Sequence, residues 1–233
     1  MILEDIINEL SFMLKQRTIT NICVGIMYTA ATLDNGSLGI SHTVPEGEVT
    51  LSGEIVGKNA YEVVQELSTP LSRSVALAIL NALGDLSQYE KGDPLDLISA
   101  NKVCLFGYSP NVSNLKFNSI VVYDFYNPQP QKMNNVDIRP YSSFKGETCD
   151  TAVVFGSALV NGAFDNIVRN VNADNFILTG VSSVDAPSTL HSLGFNIIGK
   201  IIATDKYRAL RTVCEGGNSG QLGKYTMKVF KRL

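Results

Sequence analysis

Five short apolar runs, at residues 102–106, 119–123, 151–155, 175–179 and 196–198, constrain this chain more than any other feature. Each is followed by small or polar residues and most lead into a helical pattern. Runs such as VCLF, IVVY and AVVF show no polar alternation, so as strands they must be covered on both faces. Strands of that kind, alternating with helices, make a parallel sheet. Ligands of such sheets sit in the crevice outside the carboxyl ends of the strands, so the turns that follow the apolar runs are where binding residues are expected.

The third run carries the clearest of these turns. CDTAVVFGSALVNGAFDNIVR reads as a strand at 151–155, a small-residue turn at Gly156-Ser157, and a helix that starts at once with Asn161-Gly162 in its first turns. Gly156, Ser157, Asn161 and Gly162 are small and neutral, which suits close backbone approach to a ligand better than acid, base or nucleophile chemistry. The fourth run leads into Gly180-Val181-Ser182-Ser183, where backbone amides and the Ser182 and Ser183 hydroxyls could hold an anionic or carbonyl-bearing group; a plain turn is the alternative. The first run ends at Gly107-Tyr108 and the second at Asp124. A carboxylate there is where a dinucleotide-binding domain holds a ribose, yet GYSPNV lacks the glycines of GxGxxG. Asp124 therefore reads either as a contact for an adenosyl or nicotinamide cofactor or as a strand-end cap.

Before residue 91 the pattern is different. Residues 2–15 form an amphipathic helix, and strand-like pieces follow at 19–27, 28–33 and 37–44, the last two joined by the hairpin signal Asn35-Gly36. A short helix is expected at 60–67. Then comes a helix over 70–83 with Thr69 as N-cap, Pro70 at the first position and Gly84 as stop. That helix is apolar nearly all round, so it is expected either between the small sheet and the second domain or in a homodimer contact. We place an α+β domain at 1–90 and an α/β domain at 91–233. Between 127 and 145, three prolines and many polar residues predict an irregular loop in place of a crossover helix, and GGNSGQLG (216–223) predicts a flexible loop.

Composition removes several functions. Apart from the tail KVFKRL, Lys and Arg are scattered, and the net charge is -3, so nucleic acid has no electrostatic footprint to bind. The N-terminus has acids where a signal peptide needs a basic region, and no run reaches the roughly 20 apolar residues of a membrane span, so a cytoplasmic protein with no membrane partner is expected. Four well-separated cysteines with no CxxC pair predict buried free thiols rather than a disulfide framework or zinc knuckle. Two histidines, His42 and His191, do not make a soft-metal cage. His42 and Glu46 are the nearest titratable groups if the end of the small domain faces the crevice.

The runs VGIMYTAATLDNGSLGISHT and AILNAL, with DTAVVFGSALVNGAFDNIV followed by FILTGVSS, together resemble the "putative heavy-metal chelation" family over nearly the whole chain. That resemblance implies an enolase N-terminal-like α+β domain, then a Rossmann-like domain, with a ligand site in the cleft between them. It implies contacts from Thr29, Gly107, Tyr108, Gly156, Ser157, Asn161, Gly162 and the Gly180–Ser183 loop. The expected ligand is a small polar molecule, a metal chelate or a cofactor precursor, and a metal ion would arrive on that ligand. The loop after FILT reads GVSS here, where the family commonly has a proline and a serine directly after the glycine.

Overall fold

A computed structural model of the chain describes residues 1–84, 86–107, 117–127 and 129–233. Tyr108 and the following residues of the GYSPNV turn, 109–112, lie outside these residues.

The first half begins with helix α1 (Ile2–Lys15), whose Ile2, Leu3, Ile6, Ile7, Leu10 and Leu14 are buried at helical spacing. Strands β1 (Ile19–Val24), β2 (Tyr28–Leu33) and β3 (Leu38–His42) then form an antiparallel meander. Its second turn uses Gly36 at φ +74°, the left-handed conformation that a tight hairpin requires. After the short helix α2 (Ala60–Val63) comes α3 (Pro70–Asn81). Thr69 caps α3 by accepting from the Ser72 N–H at 3.1 Å, with Pro70 in the first turn. Helix α3 lies directly on the small sheet. At Gly39 in β3 a β-carbon would overlap the Ala78 carbonyl and the Ala82 amide, so only glycine permits this approach.

The second half is one mixed sheet. Its strands are β4 (Glu90–Lys91), β5 (Lys102–Phe106), β6 (Ser119–Asp124), β7 (Gln131–Met133), β8 (Val136–Pro140), β9 (Glu147–Phe155), β10 (Val171–Thr179), β11 (Phe195–Ala203) and β12 (Thr226–Arg232). Among the described residues the order is β4-β12-β11-β10-β9-β5-β6-β8-β7. The six strands from β11 to β8 run parallel, and antiparallel strands close both edges. Helices α4 (Ser157–Asn161), α5 (Phe164–Asn170) and α6 (Pro187–Ser192) follow β9 and β10, and α7 (Lys206–Cys214) and α8 (Ser219–Leu222) follow β11.

Packing joins the halves. A single apolar core runs from α1 and α3 through α4, α5 and α6 onto one sheet face, with Leu77, Ile79, Val154, Leu159 and Ile198 all within it. The opposite face, with Val103, Leu105, Val122 and Ile138, is covered among the described residues by Leu95, Ile98 and Phe117. A third core has Tyr28, Ala30 and Ile40 of the small sheet under Ala209 and Val213 of α7 and Leu222 of α8. The small sheet is therefore held between α3, from its own half, and helices from the end of the chain.

Several expectations are corrected. The cysteines are not free: Cys23 is bonded to Cys214 and Cys104 to Cys149, with Cα–Cα separations of 5.6 and 6.1 Å. Separations of 191 and 45 residues hide both pairs from the sequence, because only the seating of α7 on β1 and the neighbouring of β5 and β9 bring them together. The segment 127–145 includes the β7–β8 hairpin, turned at Asn134 with φ 51°. The glycine-rich 216–223 segment contains α8, because Asn218 and Gln221 form a capping box that outweighs the glycines. The helix after Gly156 does not run through Asn161-Gly162; it ends there, with Gly162 at φ 83°. Of the two places expected for α3, the structure shows the one between the small sheet and the second half, with Val75 to Leu80 at most 1% exposed.

Candidate functional site

A cavity of about 450 Å³ opens where the two halves meet. Val44, Glu46 and Pro70 come from the first half, and Phe125, Tyr126, Tyr141, Asn161, Gly162, Ala163 and Asn166 from the second. Local chemistry places each side. Strand β6 ends at Asp124, whose Oδ1 accepts from the Tyr126 N–H at 3.0 Å, and this Asx turn carries Phe125 and Tyr126 past the sheet edge. Phe125 packs on Tyr141, ring centroids 4.5 Å apart. Asn166 Nδ2 donates to the Tyr141 hydroxyl at 2.9 Å, which in turn donates to the Ala163 carbonyl at 3.5 Å. At the end of α4, Asn161 Oδ1 accepts from the Ala163 N–H at 3.0 Å as the chain turns through Gly162.

Two titratable groups meet at the edge of the cavity. Tyr126 Oη lies 3.3 Å from His42 Nε2. Burial lowers the pKa of His42, so its imidazole is neutral at pH 7. Burial raises the pKa of Tyr126, and the charges of Glu46 and Asp124 raise it further. The result is a neutral phenol against a neutral imidazole, a hydrogen-bonding pair with no fixed charge. The His42 N–H donates to Ser182 Oγ at 2.7 Å, which fastens the end of β3 to the loop after β10.

The residues singled out from the sequence fall into separate groups. Asn161 and Gly162 line the cavity, as does Glu46. Gly156 and the Ser182-Ser183 backbone are in contact, as neighbouring β9 and β10 require; a β-carbon at Gly156 would overlap that backbone. Ser182 and Ser183 are buried at the junction of the halves, with the Asn81 side chain donating to the Val181 carbonyl at 3.1 Å. Gly180 takes φ +101° at the start of this turn, and Ser157 opens α4. Gly107 packs against Phe155, its N–H donating to the Tyr123 carbonyl at 2.9 Å. Thr29 is fully buried, its hydroxyl 2.8 Å from that of Thr43. Asp124 is 8% exposed and binds the Tyr126 N–H. None of the residues in these last groups lines the cavity.

Sequence reading missed Phe125, Tyr126, Tyr141 and Asn166. The aspartate–aromatic–aromatic step at the end of a buried run was the available signal, since it predicts an Asx turn that puts two rings at the carboxyl edge. No group of three or more His, Cys, Asp and Glu capable of holding a metal stands together among the described residues. No helix among the described residues is long and apolar enough to cross a membrane.

Fold and cavity together define a two-part α/β protein in which a small antiparallel unit is docked on the loops and helices that follow β9 and β10. Two family models, both described as "Putative heavy-metal chelation", match the chain: DUF4213 over residues 7–84 and DUF364 over residues 93–232. The chain belongs to the DUF364 family. It is similar to a solved protein of unknown function from that family in Pyrococcus horikoshii, with a TM-score of 0.80, 19% identity and 100% coverage of both chains. A second, from Desulfitobacterium hafniense DCB-2, gives 0.77, 16% identity and 99% coverage of both. At these identities the likeness speaks to the fold. No curated protein matches the chain.

Proposed function

We propose that the protein binds a small polar organic ligand in the cavity between its halves, and that the ligand, not the protein, holds any metal. The observation that carries this reading is the make-up of the walls. A space of about 450 Å³ has the size of a small-molecule site, and its lining combines three aromatic rings with a few polar groups. Phe125, Tyr126 and Tyr141 suit a flat or partly apolar molecule, while Asn161 and Glu46 suit its polar edge. A metal that arrives inside a chelate needs no protein donors, which reconciles the family's description with the absence of a three-donor cluster among the described residues.

Native mass spectrometry and elemental analysis of freshly purified protein test this. The expected result is an extra mass of a few hundred daltons, with or without a metal, lost from a Tyr141→Ala variant. A protein free of small molecules that shows no thermal shift across a panel of metal chelates and heteroaromatic metabolites would refute it.

A further inference from the structure

The polar groups around the cavity are not equally satisfied. Asn166 and Tyr141 bond each other, and Asn166 Oδ1 also accepts from Asn170 Nδ2 at 2.9 Å. Asn161 differs. Its Oδ1 is fixed by the Ala163 N–H, which sets the direction of the amide and leaves Nδ2, shielded from solvent, with no hydrogen-bond partner among the described residues. A buried donor in that condition destabilises the fold until an acceptor reaches it.

The neighbouring cation is in a similar condition. Arg73 of α3 donates from Nε to the Val160 carbonyl at 2.7 Å and from Nη1 to the Leu67 carbonyl at 2.8 Å. These bonds hold the guanidinium rigidly at the end of α4. Its Nη2 lies 3.4 Å from where a β-carbon would stand on Gly162, a residue of the cavity wall. No carboxylate pairs with Arg73 among the described residues, and burial lowers its pKa, as expected for a half-buried cation held only by neutral carbonyls. The structure thus sets a fixed positive charge and a fixed, unused amide donor next to a residue without a side chain. Glu46, another residue of the cavity wall, supplies the opposite sign.

We propose that the corner formed by Asn161, Gly162 and Arg73 is a carboxylate subsite, so that the ligand of this cavity is an anion that presents a carboxylate to Arg73 Nη2 and Asn161 Nδ2. Arg73 Nη2, the guanidinium nitrogen without a described partner, donates to one carboxylate oxygen, and Asn161 Nδ2 donates to the other. Glycine at 162 keeps the corner open. The inference rests on the reading that the cavity binds an organic ligand.

The test is a matched pair of probes, pyridine-2,6-dicarboxylate and its uncharged diamide, titrated calorimetrically into the full chain. The wild-type protein is expected to prefer the dicarboxylate at least tenfold. Arg73→Gln should bring the two affinities within threefold of each other. Because Arg73 also clamps α4, Asn161→Asp serves as the second variant. It keeps the acceptor for the Ala163 N–H, replaces the donor with a negative charge, and should weaken the dicarboxylate tenfold or more while leaving the diamide unchanged. Equal binding of the two probes by the wild-type protein, or an undiminished preference in Asn161→Asp, overturns the carboxylate subsite and leaves the cavity reading standing. Binding of neither probe overturns both.

Discussion

Lys200 of β11 is a buried, poorly partnered charge, and replacing it should make the protein more stable. Its side chain is 3% exposed and its Nζ has no hydrogen-bond partner among the described residues. Asp185 lies close enough to help, but Lys231 already forms an ion pair with Asp185 at 2.5 Å, and two cations share one carboxylate. Burial therefore dominates and pushes the pKa of Lys200 from 10.5 down to about 8. At 1.36 kcal/mol per unit, keeping the amine protonated below pH 8 costs the fold about 3 kcal/mol. Between pH 8 and 10.5 the folded protein releases this proton while the unfolded chain keeps it, so the unfolded state binds more protons and stability rises with pH. From pH 7 to 9.5 the gain is about 2 kcal/mol. Lys200→Met keeps the aliphatic stem and removes the amine. Urea unfolding followed by circular dichroism should show the variant about 3 kcal/mol more stable at pH 7, with the alkaline rise from this group abolished. A variant no more stable than wild type at pH 7, or a wild-type protein whose stability is flat between pH 7 and 9.5, would refute the reasoning.

Three other outcomes follow from the packing. Gly39→Ala drives a methyl group into the backbone of α3, so a loss of about 3 kcal/mol is expected in chemical denaturation; a change under about 0.5 kcal/mol, the range of ordinary surface substitutions, would show that α3 can withdraw from the sheet. His42 should titrate below the ordinary histidine value of 6.5 when its ring protons are followed by NMR. Because its folded pKa is lowered, the neutral ring's stabilising contribution is complete above 6.5 and is lost as pH falls through that value and then through the folded one, so a midpoint at or above 6.5 contradicts its burial. Cys214 is exposed whereas Cys104 and Cys149 are buried, so dithiothreitol under native conditions should open the Cys23–Cys214 bond first. Alkylation and mass mapping read the order, and equal rates would mean that the sheet does not shield the inner pair.

Much of the fold is legible in the chain because it depends on neighbours in sequence. The amphipathic period of α1 and the Thr69-Pro70 start of α3 are local signals, and so is the Asn35-Gly36 turn; all three form where they are expected. The unalternated apolar runs were enough for a parallel sheet buried on both faces. Within the candidate site, Asn161 and Gly162 could be singled out because a turn after a buried strand lies at the carboxyl edge, and that holds for any α/β chain.

What only the tertiary structure decided is which elements meet. Nothing in residues 206–214 says that α7 will leave its own sheet and cover β1 and β2, yet this brings Cys214 beside Cys23. Thr29 looked like a strand-end contact and is sealed under Thr43, while Tyr126 and Tyr141, unremarkable in sequence, are brought to one cavity by an Asx turn and the β7–β8 hairpin. Arg73 is the one charged residue in an apolar helix; it matters here because its described partners are two carbonyls, Val160 at the end of α4 and Leu67 ahead of α3, and no carboxylate. Sequence periodicity determines the face an element buries, since that is set within a few residues. The partner of that face, and the charge left unpaired beside it, depend on contacts between residues far apart in the chain, and these are settled only when the two halves close on each other.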